Sequence, residues 1–261
     1  MTDRLSLYIP TEGRLHHLHP ITKLVLAACL ILSGFLGPGY WFALFLFAAV
    51  ILPLSVWGGI LAPFLRVIVR IIGSLALFLF LIHGLFYPGA KTEIWHFWQL
   101  SVKLEGIRFA YLVTSRALCM VGASLLMLFT THPGDLMAAL AQRGLPASLN
   151  YIIVSALQII PQMQAKARTI MDAQRSRGLE TEGGIHIRAR ALLPLVGPLV
   201  LGSLVDVEER AIALEARAFK AKRTKTMLRE IPDPPAERVA RLGLVVATVV
   251  IVGAGLWLSL K

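Results

Sequence analysis

The stretch from Val67 to Tyr87 reads VIVRIIGSLALFLFLIHGLFY. It runs for 21 residues, and Arg70 is its only fully charged side chain. An α-helix needs roughly 17–25 apolar residues to cross the hydrocarbon core of a bilayer. The stretch does not alternate between apolar and polar residues, as a strand of a membrane barrel would. It therefore predicts a transmembrane α-helix.

The rest of the chain repeats this pattern. We expect five transmembrane helices, and they lie at about 21–37, 40–61, 67–87, 107–130 and 239–260. Hydrophobic residues make up 56% of the 261 residues and charged residues 16%, and the mean hydropathy is +0.70. These values exclude an ordinary soluble domain. The fold class is an all-α membrane protein with about five transmembrane helices and a cytoplasmic-side domain of amphipathic helices.

The expected domains follow the charge distribution. Residues 164–229 hold 13 of the 26 lysines and arginines but seven of the 15 acidic residues. The positive-inside bias explains this basic block better than nucleic-acid binding does, so we expect no nucleic-acid partner. Three domains result, and they are a four-span domain at 1–130, a cytoplasmic-side helical domain at 131–230, and a linker with the last span at 231–261. With the N-terminus in the cytoplasm, parity leaves the C-terminus outside.

The cytoplasmic-side domain contains several expected helices. One begins near Asp135, and a longer one covers 148–177 with a proline kink at Pro161. Two more follow at 189–205 and about 206–223. On the other side of the membrane, Trp95 and Trp98 mark the segment 88–106 as an external interfacial loop.

Two short motifs in this domain resemble each other. They read Ala173-Gln-Arg-Ser-Arg-Gly-Leu179 and, forty residues later, Ala213-Leu-Glu-Ala-Arg-Ala-Phe219. In each motif an arginine, Arg177 or Arg217, has small neighbours on both sides and an apolar residue after them. A guanidinium between small side chains can enter a narrow groove and bind a carboxylate with two parallel hydrogen bonds. The motifs suggest a membrane subunit that inserts into two partner sites.

These features resemble one known family along most of the chain. The resemblance rests on the stretches His19-Pro-Ile-Thr-Lys23-Leu24, Thr131-His-Pro-Gly-Asp135-Leu136 and Arg143-Gly-Leu-Pro146, and above all on the two arginine motifs. The chain looks like the transmembrane T component of energy-coupling factor (ECF) transporters, the ABC-type importers of vitamins and metal ions. Two departures stand out. His19 and Ile21 replace the usual Asp and Arg, and Ala218 stands where the family commonly has glycine.

The resemblance implies partners and a mechanism. Two cytoplasmic ATPase subunits would each receive one tip, formed by Ser176, Arg177 and Gly178 or by Ala216, Arg217 and Ala218. A separate membrane subunit, the S component, would hold the substrate against the apolar faces of 148–160, 189–205 and 206–219. The expected location is the cytoplasmic membrane of a bacterium or archaeon. A positive φ at Ala218 would be strained, because only glycine adopts that conformation freely.

Two other function classes fit the sequence less well. A self-contained secondary permease would need charged groups at the bilayer midplane, and Arg116 in the fourth span is the one candidate, with His83 or backbone carbonyls as possible partners. An intramembrane hydrolase is disfavoured, since the sequence has no H-E-x-x-H or G-x-S-x-G motif and Glu208-Glu209 lies among charged residues. The phosphate-binding motif G-x-x-x-x-G-K-[ST] is also missing, so ATP hydrolysis would belong to another chain.

Metal and cofactor sites are not expected. His16, His17 and His19 lack supporting carboxylates or thiols, which makes them a weak metal signal. Cys29 and Cys119 both lie in apolar windows and have no metal-site spacing, so we interpret them as packing residues.

Overall fold

The structure is a computed structural model that describes residues 9, 13–87, 93–97, 100–179, 184–221 and 230–259. The helices in this part of the chain are α1 Pro20–Leu36, α2 Phe42–Leu46, α3 Leu52–Trp57, α4 Leu61–Phe86, α5 Leu104–Thr130, α6 Pro133–Gln142, α7 Ala147–Ser176, α8 Ile185–Ala216 and α9 Pro235–Ser259. A 3₁₀ turn, Arg14–His17, precedes α1, and a π-helical turn, Phe47–Ile51, joins α2 to α3. An antiparallel hairpin of β1 (Glu93–Phe97) and β2 (Leu100–Lys103) leads into α5.

The expected all-α membrane fold is confirmed. Three helical stretches are long and apolar enough to cross a bilayer, namely Leu61–Phe86, Leu104–Thr130 and Pro235–Leu258. Two shorter apolar stretches, Pro20–Leu36 and Phe42–Trp57, occupy the positions of the first and second expected spans. Many large side chains of α4 are exposed in the chain itself, as a surface covered by lipid requires.

The boundary between the second and third spans differs from the expectation. Apolar residues continue without interruption past position 57, so the sequence predicts that the second span ends at 61 and that the third begins at 67. The structure ends α3 at Trp57 and begins α4 at Leu61. A turn at Gly58 and Gly59 separates them, and Gly59 has a φ of 67°. Glycine adopts this left-handed conformation at little cost, so the chain turns within an apolar run.

The described residues divide into two compact units. The span unit comprises residues 9, 13–87, 93–97, 100–140 and 230–259, and the arm unit comprises residues 141–179 and 184–221. The expected domain limits at 130/131 and 230/231 stay a prediction. Trp95 lies on β1, whereas Trp98 lies outside the described residues.

The core of the span unit lies where the first four expected spans meet. Its largest fully buried side chains include Phe64, Ile51, Ile60 and Leu15. Glycine lets α9 approach α1 closely, because a Cβ on Gly255 would clash with the carbonyl oxygen of Leu36. Small residues at such crossings are typical of membrane helices, whose association depends on close packing.

A buried lysine joins two helices of the span unit. Lys23 in the first turn of α1 is 5% exposed. Its Nζ donates to the carbonyl oxygens of Thr130, at 2.8 Å, and of His16, at 3.0 Å. Thr130 is the last residue of α5, where the helix dipole favours a positive charge. The ammonium therefore satisfies carbonyls that the end of a helix leaves without partners.

A carboxylate from the last helix holds the start of the first one. Glu237 in α9 accepts hydrogen bonds from the backbone N–H of His19, at 2.9 Å, and from the Thr22 hydroxyl, at 2.6 Å. His19 itself caps α1, because its Nδ1 accepts from the N–H of Ile21 at 3.2 Å. The stretch His19–Leu24 is thus a junction of α1, α5 and α9.

The arm unit consists mainly of two long helices, and here one expectation is wrong. The helix expected at 148–177 is α7, which continues through Pro161. The two helices expected at 189–205 and 206–223 are instead one continuous helix, α8, which contains Pro194 and Pro198 and ends at Ala216. The change from apolar to charged residues near Asp206 indicated a boundary, but no residue there interrupts helical hydrogen bonding.

We predict that Glu237→Ala lowers the free energy of unfolding by about 1–3 kcal/mol, because it removes two hydrogen bonds between α9 and α1. Thermal unfolding of the detergent-solubilised chain measures the effect. The control is Glu230→Ala, which removes an exposed carboxylate just before α9 and should change stability little. Equal effects of the two substitutions would contradict the role given to Glu237.

Candidate functional site

The two arginines of the repeated motif occupy the same position at the ends of the two arm helices. Arg177 directly follows α7, and Arg217 directly follows α8. Their backbone angles are nearly identical, with φ −90° and ψ 8° at Arg177 and φ −87° and ψ 8° at Arg217. The likeness of the two sequences is therefore also a likeness of conformation.

Both helix ends are closed by the same pair of backbone hydrogen bonds. At the first, Gly178 N–H donates to the Arg175 carbonyl at 2.9 Å and Leu179 N–H to the Gln174 carbonyl at 3.0 Å. The corresponding bonds at the second measure 2.9 Å from Ala218 to Glu215 and 3.0 Å from Phe219 to Leu214. This is the Schellman motif, which requires a left-handed residue directly after the helix cap.

That left-handed residue is glycine at one end and alanine at the other. Gly178 has a φ of 88° and Ala218 a φ of 52°, and Ala218 is the one non-glycine residue with positive φ in the part of the chain that the structure describes. Ala218 thus adopts the positive φ that is strained for alanine. The expected strain is about 1–2 kcal/mol, because the Cβ approaches the following carbonyl oxygen.

The six tip residues are all exposed, as a docking surface requires. They are Ser176, Arg177, Gly178, Ala216, Arg217 and Ala218. Among the described residues, neither tip arginine forms an ion pair or a side-chain hydrogen bond. Nearby cations differ, since Arg175 lies 3.7 Å from Asp172 and Lys220 lies 3.9 Å from Glu215. Both guanidinium groups that the sequence singled out are therefore available to a partner.

An aromatic contact braces the second tip. The ring of Phe219 lies 5.5 Å from the ring of Tyr151, measured between centroids, with the planes inclined by 54°. Both side chains are half-buried. Tilted aromatic pairs at this distance are favourable, so the chain after α8 is held against the first turns of α7.

The arm helices carry many exposed apolar side chains. On α7 they are Leu149, Ile152, Ile153, Leu157 and Ile160. On α8 they are Leu193, Val196, Val200, Leu201, Leu204, Val205, Val207 and Ile212. So large an apolar surface requires a cover of lipid or protein.

The other candidates have structural roles. The guanidinium of Arg116 lies 5.6 Å from the ring centroid of Phe35, which gives it a cation–π partner in place of the expected His83. The ring of His83 instead contacts Phe109, at 4.9 Å between centroids. Arg116, on which the permease interpretation depends, thus contacts an aromatic ring of the chain itself.

Two histidines near the N-terminus, His16 and His19, form local hydrogen bonds. The described residues contain no group of three or more His, Cys, Asp or Glu side chains placed to hold a metal ion. His16 is hydrogen-bonded to the Ile9 carbonyl. Burial lowers the pKa of His16, and the positive charge of Lys23 lowers that pKa further. Cys29 and Cys119 are buried and free, and the Cys119 thiol packs against Gly34.

Sequence reasoning missed two groups of residues. Lys23 binds Thr130, 107 residues away, and Glu237 binds His19 and Thr22, more than two hundred residues away, and no local pattern indicates such pairings. The ion pair of Lys166 and Asp206, at 2.8 Å, joins α7 to α8. Its one local signal is Asp206, the first acid after the apolar run of α8, and the change to charged residues there predicts a helix boundary instead.

Comparison with known proteins gives consistent matches over most of the chain. A family model described as cobalt transport protein, CbiQ, matches residues 12–227, a range that includes both tips. The energy-coupling factor transporter transmembrane protein EcfT of Thermanaerovibrio acidaminovorans is 30% identical over 87% of each chain. The EcfT of Lacticaseibacillus paracasei is 30% identical over 94% of this chain and 97% of its own length. The EcfT of Limosilactobacillus fermentum is 27% identical over 93% of each chain.

We predict opposite effects of exchanging glycine and alanine at the two helix ends. Ala218→Gly should raise the free energy of unfolding by about 0.5–1 kcal/mol, because relief of strain exceeds the added entropy of the unfolded chain. Gly178→Ala should lower it by a similar amount. The control is Ala216→Gly in the last turn of α8, where glycine should destabilise by about 0.5–1 kcal/mol. Thermal unfolding measures all three, and destabilisation by Ala218→Gly would contradict the left-handed assignment.

Proposed function

The chain belongs to the family of CbiQ cobalt transport proteins and ECF transporter transmembrane proteins, and on that premise we propose that it transmits ATP-driven movement within an importer. Two ATPase subunits would bind one tip each on the cytoplasmic side. A substrate-binding S component would lie in the membrane beside the chain. The importer would carry a vitamin or a metal ion, and the substrate would be selected by the S component.

One observation carries this proposal, and it is the pair of equivalent helix ends. Each presents an exposed arginine between small residues, in the same backbone conformation, with no partner among the described residues. A guanidinium in this setting can reach into a groove and form two parallel hydrogen bonds with a carboxylate. Two equivalent tips fit two equivalent partners, which favours a dimeric ATPase.

The arm helices would transmit the movement. When ATP draws the ATPase subunits together, each tip would move with the subunit to which it is bound. Because α7 and α8 are continuous helices of 30 and 32 residues, a displacement at a tip would be carried along the helix for tens of ångströms. The exposed apolar side chains of both helices would hold the S component, so movement of the helices would reach the substrate site.

The chain itself would be non-catalytic. Its sequence lacks the phosphate-binding motif of an ATPase and the signatures of the hydrolases considered above. No resident cofactor is needed for the proposed role. Chemistry would take place on the ATPase subunits, and this chain would supply docking and mechanical connection.

We also propose the orientation that the charges favour. The chain would lie in the cytoplasmic membrane of a bacterium or archaeon, with the basic arm unit and the N-terminus in the cytoplasm. The C-terminus would be external, because the last helix would cross the membrane outward.

Removing both tip arginines should uncouple the importer. We predict that Arg177→Ala with Arg217→Ala leaves the chain in the membrane but abolishes ATP-driven uptake. Loss of one partner of a buried charge pair costs about 3–5 kcal/mol, which corresponds to a loss of affinity of about 100-fold or more at each tip. Uptake by cells that carry the complete importer, together with co-purification of the ATPase subunits, measures the effect.

The control for that experiment removes the same number of positive charges beside the tips. Arg175→Ala with Lys220→Ala changes two exposed cations that already have acidic neighbours. This variant should keep uptake close to that of the wild type. Normal uptake in the double tip variant, or equal losses in both variants, would contradict the docking role.

Fusion reporters test the orientation. A fluorescent protein that matures only in the cytoplasm should be bright when fused after Leu140 and dark when fused after Lys261, and a phosphatase that is active only outside should show the reverse. Two bright fluorescent fusions would contradict an external C-terminus.

A further inference from the structure

The arm helices are joined by a charged contact away from both tips. The Nζ of Lys166 on α7 lies 2.8 and 3.0 Å from the two carboxylate oxygens of Asp206 on α8. The same ammonium donates to the carbonyl oxygen of Gly202 at 3.2 Å. One side chain of α7 is thus bound at three oxygen atoms of α8.

Gly202 provides the space for this contact. A Cβ at position 202 would lie 3.0 Å from Nζ and 3.1 Å from Cε of Lys166, which is tighter than ordinary van der Waals contact. The absence of a side chain therefore leaves a recess over one helical turn of α8, with Asp206 at its other end. The lysine fits into this recess.

A second polar contact follows one turn away and reveals the direction of the helices. Arg210 on α8 donates a hydrogen bond to the Gln162 side chain on α7. A step of four residues back along α7 corresponds to a step of four residues forward along α8. The helices therefore run antiparallel where they cross, and the two tips lie on opposite sides of the crossing.

The crossing lies at the same distance from each tip. Arg177 follows Lys166 by 11 residues, and Arg217 follows Asp206 by 11 residues. Eleven residues of α-helix span about 16 Å. Neither stretch contains proline, because Pro161, Pro194 and Pro198 all precede the crossing in their helices. Two proline-free helical stretches of equal length, which we call the arms, thus lead from the contact of Lys166 with Asp206 to the two tip arginines.

We propose that Lys166, Gly202 and Asp206 form a polar lock that sets the crossing of α7 and α8 and thereby the spacing of the two tip arginines. A pair of side chains that are 35% and 38% exposed contributes little to overall stability, but it selects one crossing geometry among several that apolar contacts allow. Because each arm is about 16 Å long, a change of about 10° in the crossing angle moves a tip by about 3 Å. Lys166, Gly202 and Asp206 are thus positioning residues, and their effect on function rests on the proposed docking of the tips.

The test measures the distance between the arms in the full-length chain, without ATPases. Spin labels are placed at the exposed positions of Ala173→Cys and Ala213→Cys, while the native cysteines are buried and stay in place. Double electron–electron resonance in lipid nanodiscs then gives the distance distribution. We expect one narrow distribution for this chain and a broader one, displaced by about 3 Å or more, after Asp206→Asn.

Two further variants separate a lock from a general loss of structure. Gly202→Ala leaves both charges in place but fills the recess, and it should displace the distribution in the same way. The exchanged pair, Lys166→Asp with Asp206→Lys, should restore a narrow distribution, whereas Lys166→Asp alone should broaden it.

The matched control is Glu208→Gln, which removes a carboxylate from the same helix but from another face, since residues two apart on a helix do not lie side by side. It should leave the distribution unchanged. The lock is refuted if Asp206→Asn and Gly202→Ala both give the same distance distribution as the chain that carries only the two spin labels. Because no ATPase is present, this result would leave the docking proposal intact, just as a failure of ATPase binding would leave the lock intact.

Discussion

Each arm helix is terminated by one residue in the left-handed conformation, Gly178 after α7 and Ala218 after α8. This constraint determines what the helix ends can do. A Schellman motif turns the chain back at once, so the residue before the left-handed one, Arg177 or Arg217, caps the end of the helix. A helix that continued for another turn would place the arginine on its flank instead. The strain accepted at Ala218 indicates that the shape of this end is maintained even where the sequence does not favour it.

Charged groups in the span unit follow a related logic. Lys23 and Glu237 are placed where helices begin or end, and each satisfies backbone groups that a helix terminus leaves without partners. Arg241, on α9, is buried and binds both carboxylate oxygens of Asp233, at 2.6 and 2.8 Å. These contacts stabilise a membrane fold in which apolar packing alone distinguishes poorly between neighbouring helices.

Much of this arrangement could be predicted from hydrophobicity and local motifs. The apolar windows located the three helices that are long enough to cross a bilayer and the two shorter apolar stretches. Gly178 in the first arginine motif indicated the end of α7, whereas the helix expected at about 206–223 extends past the end of α8 at Ala216. The expected helix boundaries were wrong where the local sequence signals were weak. The turn at Gly59 lies within an apolar run, so no change in composition indicates it. Asp206 begins a charged segment, which predicts a helix boundary. Its partner, Lys166, lies forty residues earlier, too far away for a local pattern to indicate the pairing. The left-handed conformation of Ala218 was also beyond prediction, since alanine strongly favours a helix.

If each tip holds one ATPase subunit, as we propose, the number of bound subunits depends directly on the two tip arginines. Native mass spectrometry of the chain purified with its ATPases should show two ATPase copies for the unsubstituted chain. It should show a loosely held or missing copy when either Arg177 or Arg217 alone is replaced by alanine, and none when both are replaced. Two firmly bound copies in the variant that lacks both arginines would contradict the account.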